Sequence, residues 1–188
     1  MPLYAGLISG TSMDGVEAVA LQIDADGMQV RGAIHTAYPE ILAGRLRAAV
    51  ADPRGCDLDM LGELDANIGE VFADAVLELL RQTGLTASAV RAIGSHGQTV
   101  RHRPDAGYTV QINQGALLAE RCGIDVVCDF RARDVVAGGQ GAPLVPAFHA
   151  ERFGVAGHAR AVLNLGGIAN LTLLGTDGSV KGFDTGPA

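Results

Sequence analysis

Residues 3–21 constrain this chain more than any other stretch. They combine two strand signals with a turn that carries more polar chemistry than a turn requires. Residues 3–8 are a short, mostly apolar run, and residues 16–23 alternate apolar with small or polar side chains, the period of a half-buried strand. Between them, Ser9-Gly10-Thr11-Ser12-Met13-Asp14-Gly15 supplies two glycines, three hydroxyls and one carboxylate. Glycine permits positive φ and lets backbone N–H groups approach an anion closely. Hydroxyls donate to phosphate oxygens, and a carboxylate can hold Mg²⁺ or its waters. The stretch therefore reads as a phosphate-binding hairpin, with a decorated β-turn as the plain alternative.

The same pattern returns late in the chain. Residues 159–165 and 169–174 read as strands around the Gly166-Gly167 turn, and a third strand, 180–183, follows the turn signal Thr176-Asp177-Gly178-Ser179. The first copy has its own third strand, 28–36, after the turn signal 24–27. Each copy is thus a three-stranded meander with one Gly-rich hairpin. A repeated domain with a phosphate hairpin in each copy resembles the actin-like and sugar-kinase-like ATPases, which hold ATP in the cleft between two lobes.

Between the copies, strand and helix signals alternate. Leu42, Leu46 and Val50 mark a helix opened by Pro39 and running to about residue 51. Leu61, Leu64, Ile68, Val71, Ala75 and Leu79 give residues 57–82 one long apolar stripe, closed by Gly84. A strand at 90–95 leads into a polar stretch at 97–103, and 108–112 is a further strand. A helix at 113–122 ends at Gly123, and 124–129 reads as a buried strand of the parallel type. A Gly/Pro loop, 137–146, precedes a short helix, 147–153.

The fold class expected is α/β: a ribonuclease H-like lobe of the actin/hexokinase type over residues 1–150, with a mixed five-stranded sheet flanked by helices. The first three strands of a second, similar lobe follow at 151–188. Three strands without their helices cannot bury both faces, so the chain is expected to be a fragment that stops as its second lobe begins.

Composition excludes several roles. Of 188 residues, 48% are hydrophobic, with no Trp and few aromatics, so Val, Leu, Ile and Ala must build the core. The net charge is −7, Lys181 is the one lysine and no basic block exists, which argues against nucleic-acid binding. Cys56, Cys122 and Cys128 lack metal or disulfide spacing and read as small reduced core residues. The N-terminus does not pattern as a signal peptide, and no stretch approaches a membrane span; a cytoplasmic location is expected. The sequence leaves the oligomeric state open, a homodimer included.

Four further stretches carry candidate chemistry. Gly94-Ser95-His96-Gly97-Gln98-Thr99-Val100-Arg101-His102 follows a parallel-type strand, where α/β sheets place ligand groups. Asp129-Phe130-Arg131-Ala132-Arg133-Asp134 holds an arginine suited to bidentate capture of a carboxylate or phosphate, unless it is a salt-bridged helix start. The loop 137–146 is Gly-rich enough to close near a ligand. Asp184, in Gly182-Phe183-Asp184-Thr185-Gly186-Pro187, sits at a strand end, where a turn-capping role is the plain alternative.

Taken in order, Gly-Thr-Ser-Met-Asp-Gly, Gly-Ser-His-Gly-Gln-Thr, Asp-Phe-Arg with Gly-Gly-Gln-Gly-Ala-Pro-Leu-Val-Pro, Asn-Leu-Gly-Gly-Ile-Ala-Asn and Gly-Phe-Asp-Thr-Gly-Pro resemble the anhydro-N-acetylmuramic acid kinases over essentially the whole chain. The resemblance implies a bacterial enzyme of cell-wall (peptidoglycan) recycling. It would use ATP, Mg²⁺ and water to convert 1,6-anhydro-N-acetylmuramic acid to N-acetylmuramic acid 6-phosphate.

On that resemblance Asp184 is the catalytic base. Gly10, Thr11, Ser12, Met13, Asp14 and Gly15, with Gly166 and Gly167, bind the ATP phosphates, and Asp14 lies near the metal. Gln98, Thr99 and Arg131 hold the sugar and its lactyl carboxylate. The adenosine pocket would belong to the second lobe, so the fragment alone is expected to be inactive. Other readings are a different sugar or acyl-phosphate kinase of the same fold, and a non-catalytic nucleotide-binding lobe.

Overall fold

The computed structural model describes residues 2–25 and 27–187. Two compact units are present: one is Met1–His102 with Thr109–Phe130, and the other is Arg103–Tyr108 with Arg131–Ala188. The lobe boundary expected near residue 150 falls inside the second unit, which also takes in the Gly-rich loop and the helices on either side of it.

The first unit opens with the expected meander. β1 (Leu3–Ser9), β2 (Gly15–Asp24) and β3 (Gly27–Ala37) pair antiparallel in sequence order. Asp26 of the expected 24–27 turn lies outside the described residues, but Asp24 and Gly27 are paired. α1 (Glu40–Ala51) and α2 (Leu58–Thr83) follow. β4 (Val90–Arg103) then runs parallel to β1, and β5 (Tyr108–Ile112) pairs with β4. α3 (Gly115–Cys122) leads to β6 (Val126–Val127), which pairs parallel with β4. The sheet order is β3-β2-β1-β4-β5 with β6 also on β4, six strands where five were expected.

α2 dominates the core because its apolar face spans its whole length. Leu64, Ile68, Phe72, Val76 and Leu79 are fully buried. Each such side chain contributes roughly 1.5–3 kcal/mol relative to exposure. Phe72 and Val76 belong to this face although the expected stripe ran through Leu61 and Val71, which are only half-buried. Asp57 caps the start by accepting the Met60 N–H at 2.8 Å, and Gly84 closes the end at φ 68°. The helix packs on β2 and β3. There Ala5, Leu7, Val16, Ala18 and Ala20 form the buried side of the meander.

Three expectations for this unit change. The strand expected at 90–95 runs on through the polar stretch: β4 ends at Arg103. The strand expected at 124–129 is two residues long, and Val127 is exposed, because β6 pairs along one edge only and Asp129 (φ 58°) turns the chain away. Cys122 is buried as expected, but Cys56 and Cys128 are only partly so.

The second unit holds α4 (Phe130–Val136), α5 (Pro146–Phe153) and an antiparallel meander, β7 (Arg160–Asn164), β8 (Ile168–Leu174) and β9 (Val180–Pro187). α5 packs on β8 and β9. His149 is buried there, with its Nδ1 2.8 Å from the Thr172 hydroxyl. Gly182 admits no side chain, since a Cβ would lie 2.2 Å from Pro146 Cγ.

Candidate functional site

In the first unit, the β1–β2 loop is held at both ends. Gly10 O accepts the Met13 N–H at 3.3 Å, which closes a tight turn, and Asp14 O accepts the Tyr38 N–H at 2.9 Å from the end of β3. Gly10, Thr11, Ser12 and Asp14 are exposed. The positive φ of this turn falls on Met13 (52°) rather than on either flanking glycine. Gly15 is needed for space instead. A Cβ there would lie 2.4 Å from Thr36 O and 2.7 Å from the His35 ring.

Asp14 is an ionised carboxylate at the loop surface. The Ser12 hydroxyl donates to its Oδ1 at 2.7 Å, and this bond first of all holds Asp14 below the usual carboxylate range. A single exposed carboxylate suits Mg²⁺, which keeps most of its shell for water and phosphate oxygens. Among the described residues there is no cluster of three or more metal-binding side chains.

The Ser95–Thr99 segment meets this loop through the parallel register of β1 and β4. Leu7 pairs with Ser95 and Ser9 with Gln98, so two residues of β1 oppose three of β4. This bulge centres on Gly97, whose φ is 75° and where a Cβ would lie 2.6 Å from Ile112 O. A one-residue slip reverses which side of a strand faces inward. Gln98 is accordingly 1% exposed. Its Oε1 accepts from Ser9 Oγ at 2.6 Å, and its Nε2 donates to Gly10 O at 3.3 Å and to Thr99 O at 3.1 Å. Thr99 is half-buried, and its hydroxyl accepts from Gln111 Nε2 at 3.2 Å. Tyr38 is buried beneath the same loop. Burial pushes its phenol up to about 12, with the Ser9 hydroxyl opposing the shift.

The second unit brings Arg131 within electrostatic reach of Asp184 and Asp134. Burial lowers the Arg131 pKa, an effect the two carboxylates oppose, and arginine keeps its proton throughout. Arg131 Nη1 donates to Gly141 O, while Asp134 Oδ2 accepts the Gly141 N–H at 2.7 Å. Two side chains one helical turn apart thus hold both backbone groups of one residue in the Gly-rich loop.

Asp184 lies within β9, not at a strand end, and is exposed. It pairs with Asn170 of β8, and Asn170 pairs with Asn164 of β7. The three side chains form one row across the sheet beside the turn that carries Gly166 and Gly167. Turn capping belongs to Asp177, which accepts the Ser179 N–H at 3.0 Å. The Asn170 carbonyl oxygen is buried without a protein partner among the described residues. The two asparagines flank the Gly-Gly turn in sequence, but only the register showed that Asn170 faces Asp184. Tyr38, Asp134 and Asn170 were not among the expected site residues.

A family model for anhydro-N-acetylmuramic acid kinase matches residues 2–188. A protein of that name from Bordetella pertussis is 54% identical over 187 residues, covering 99% of this chain and 49% of its own length. One from Xanthomonas campestris is 50% identical over 193 residues, covering all of this chain and 51% of its own length. This chain therefore spans about half the length of the curated relatives it matches. Among solved structures, a Ppx/GppA phosphatase from Aquifex aeolicus aligns over 99% of this chain and 52% of its own, with a TM-score of 0.50 at 10% identity. That likeness bears on the fold alone, and agrees with a ribonuclease H-like lobe followed by three strands of a second.

Proposed function

The chain belongs to the anhydro-N-acetylmuramic acid kinase family, and from that premise we propose that its protein phosphorylates 1,6-anhydro-N-acetylmuramic acid with ATP while opening the anhydro bridge with water. The observation that carries this reading is Asp184, an exposed carboxylate paired across the sheet with Asn170 and within electrostatic reach of Arg131. Ring opening needs a base that takes a proton from water as its oxygen bonds to the anomeric carbon. Asp184 takes that proton. The C1–O6 bond breaks, its electron pair stays on O6, and O6 bonds to the γ-phosphorus as the bond to the ADP oxygen breaks. The products are N-acetylmuramic acid 6-phosphate and ADP.

Phosphoryl transfer depends chiefly on positioning and charge neutralisation. In the first unit the exposed 10–14 loop offers backbone N–H groups and hydroxyls to phosphate oxygens; in the second unit the Gly166-Gly167 turn offers backbone N–H groups. Mg²⁺ bound through Asp14 would neutralise phosphate charge. In the second unit Arg131 is the cation suited to the lactyl carboxylate, and in the first unit the half-buried Thr99 carries a hydroxyl suited to a sugar oxygen. With a net charge of −7, these local donors rather than the overall field must attract two anionic substrates. No helix among the described residues is long and apolar enough to cross a membrane, and we assign the reaction to the cytoplasm, where ATP is available.

Mass spectrometry of products from ATP, the anhydro sugar and ¹⁸O-water with the full-length protein tests the proposal. One ¹⁸O at the anomeric hydroxyl and a phosphate on O6 are expected. A phosphorylated sugar without ¹⁸O, or ATP hydrolysis without sugar phosphate, would overturn it.

A further inference from the structure

We infer that Gln98 is a positioning residue for the phosphate hairpin, not a sugar contact: the Gly97 bulge turns it inward so that its amide locks the root of the 10–14 loop. The inference deepens the proposed function and rests on the hairpin being the phosphate site.

Three observations support it. Gln98 is 1% exposed and so cannot reach a ligand at the protein surface without moving. Both ends of its amide are engaged within the protein: Oε1 by Ser9 Oγ, and Nε2 by the carbonyls of Gly10 and Thr99. This orientation is set chemically, because the reversed amide would place its oxygen against two carbonyl oxygens. The partners are the last residue of β1 and the first residue of the loop, so the bonds act where the loop leaves the sheet.

Gly97 is what makes the arrangement available. Unbulged pairing would send Gln98 to the opposite side of β4. A bulge needs a residue tolerant of positive φ, and here also one without a Cβ, since Ile112 O lies 2.6 Å from where that atom would be. A side chain of this length that accepts at one end and donates twice at the other is glutamine. Glutamate would set a carboxylate oxygen against the Gly10 and Thr99 carbonyls. Methionine would fill the space and leave Ser9 and both carbonyls without their partner.

The test compares Gln98→Glu, Gln98→Met and Ser9→Ala, with two readouts. In the ligand-free 188-residue chain, amide hydrogen exchange of residues 10–14 is expected to speed up in all three variants, while α2 amides keep their protection. The Ser9→Ala and Gln98→Met effects should be non-additive, as for partners in one bond. In the full-length enzyme, KM for Mg·ATP should rise roughly 10-fold, the scale of a lost hydrogen-bond set at a buried amide, with KM for the sugar unchanged.

Unchanged loop exchange would overturn the inference, as would a rise in sugar KM with ATP KM unaltered. If the wild-type enzyme shows no sugar-dependent use of ATP, the proposed function fails, and the exchange measurement still decides whether Gln98 orders the loop.

Discussion

Asp65 Oδ1 accepts the backbone N–H of both Asn113, at 2.7 Å, and Gln114, at 2.9 Å, so a carboxylate on α2 caps the start of a helix 49 residues further along. The second oxygen accepts from Gln114 Nε2 at 3.3 Å. Gln114 itself is left-handed (φ 38°) and provides no side-chain cap of its own. The α3 N-terminus is therefore satisfied from a neighbouring element, which also fixes the end of β5 beside the Gly97 bulge.

Asp65→Ala should destabilise the first unit by about 1–2 kcal/mol, the usual loss for a cap whose N–H groups are left partly buried. Urea denaturation followed by circular dichroism measures it. A midpoint unchanged from wild type would show that water replaces the carboxylate without loss.

Two glycines of similar φ should respond differently to alanine. Gly97 (φ 75°) combines left-handed backbone with a carbonyl 2.6 Å from the added Cβ. Gly107 (φ 80°) faces open space. Gly107→Ala should cost roughly 1 kcal/mol from backbone strain alone. Gly97→Ala should cost distinctly more, about 2 kcal/mol or above, because strand packing must also give. Thermal melts of the two variants, compared side by side, decide it; equal losses would remove the packing argument.

In the full-length enzyme, Asp184→Asn should lower kcat by roughly 10²-fold or more, as loss of a general base does, with little change in sugar binding. Asp177→Asn, which alters a turn cap on the same sheet, should leave kcat near wild type. Calorimetric sugar titration and steady-state kinetics separate the two effects. Retained turnover in Asp184→Asn would make that residue a structural member of β9.

Glu78 contributes to stability on the acid side. Bonds from Arg81 above all, and from Gln82, hold its carboxyl at about 2, below its ordinary value of 4.5. The folded value is the lower one, so this contribution is complete above pH 4.5 and is lost as pH falls toward 2. Arg81→Ala should flatten the fall in urea midpoint across that window. Added salt should do part of the same, because the pair is exposed. A slope identical to wild type would show that the ion pair does not persist in solution.

Much of this molecule follows from local periodicity. The 3.6-residue apolar repeat marks α2, the two-residue alternation marks the meander strands, and the Gly84 and Gly123 caps mark where helices stop, since each depends only on residues a few positions apart. The repeated hairpin was legible for the same reason, and so was the family, whose motifs are contiguous. The extent of β6 was not legible. An apolar run reads alike whether it has one partner strand or two, and among the described residues it has one.

The directions of side chains at the candidate site depend on pairing across long separations. Gln98 is assigned to the sugar by the family resemblance, and nothing along the chain shows which way its side chain faces. Its inward turn comes from the β1–β4 register, which joins residues 89 apart. Asp184 was placed from its motif, but its position opposite Asn170 depends on the β8–β9 bulge. Residue types, helix stripes and turn glycines are thus properties of the chain read along its length. Which face a polar side chain occupies is a property of its strand partner, because one bulge reverses the face without changing a residue.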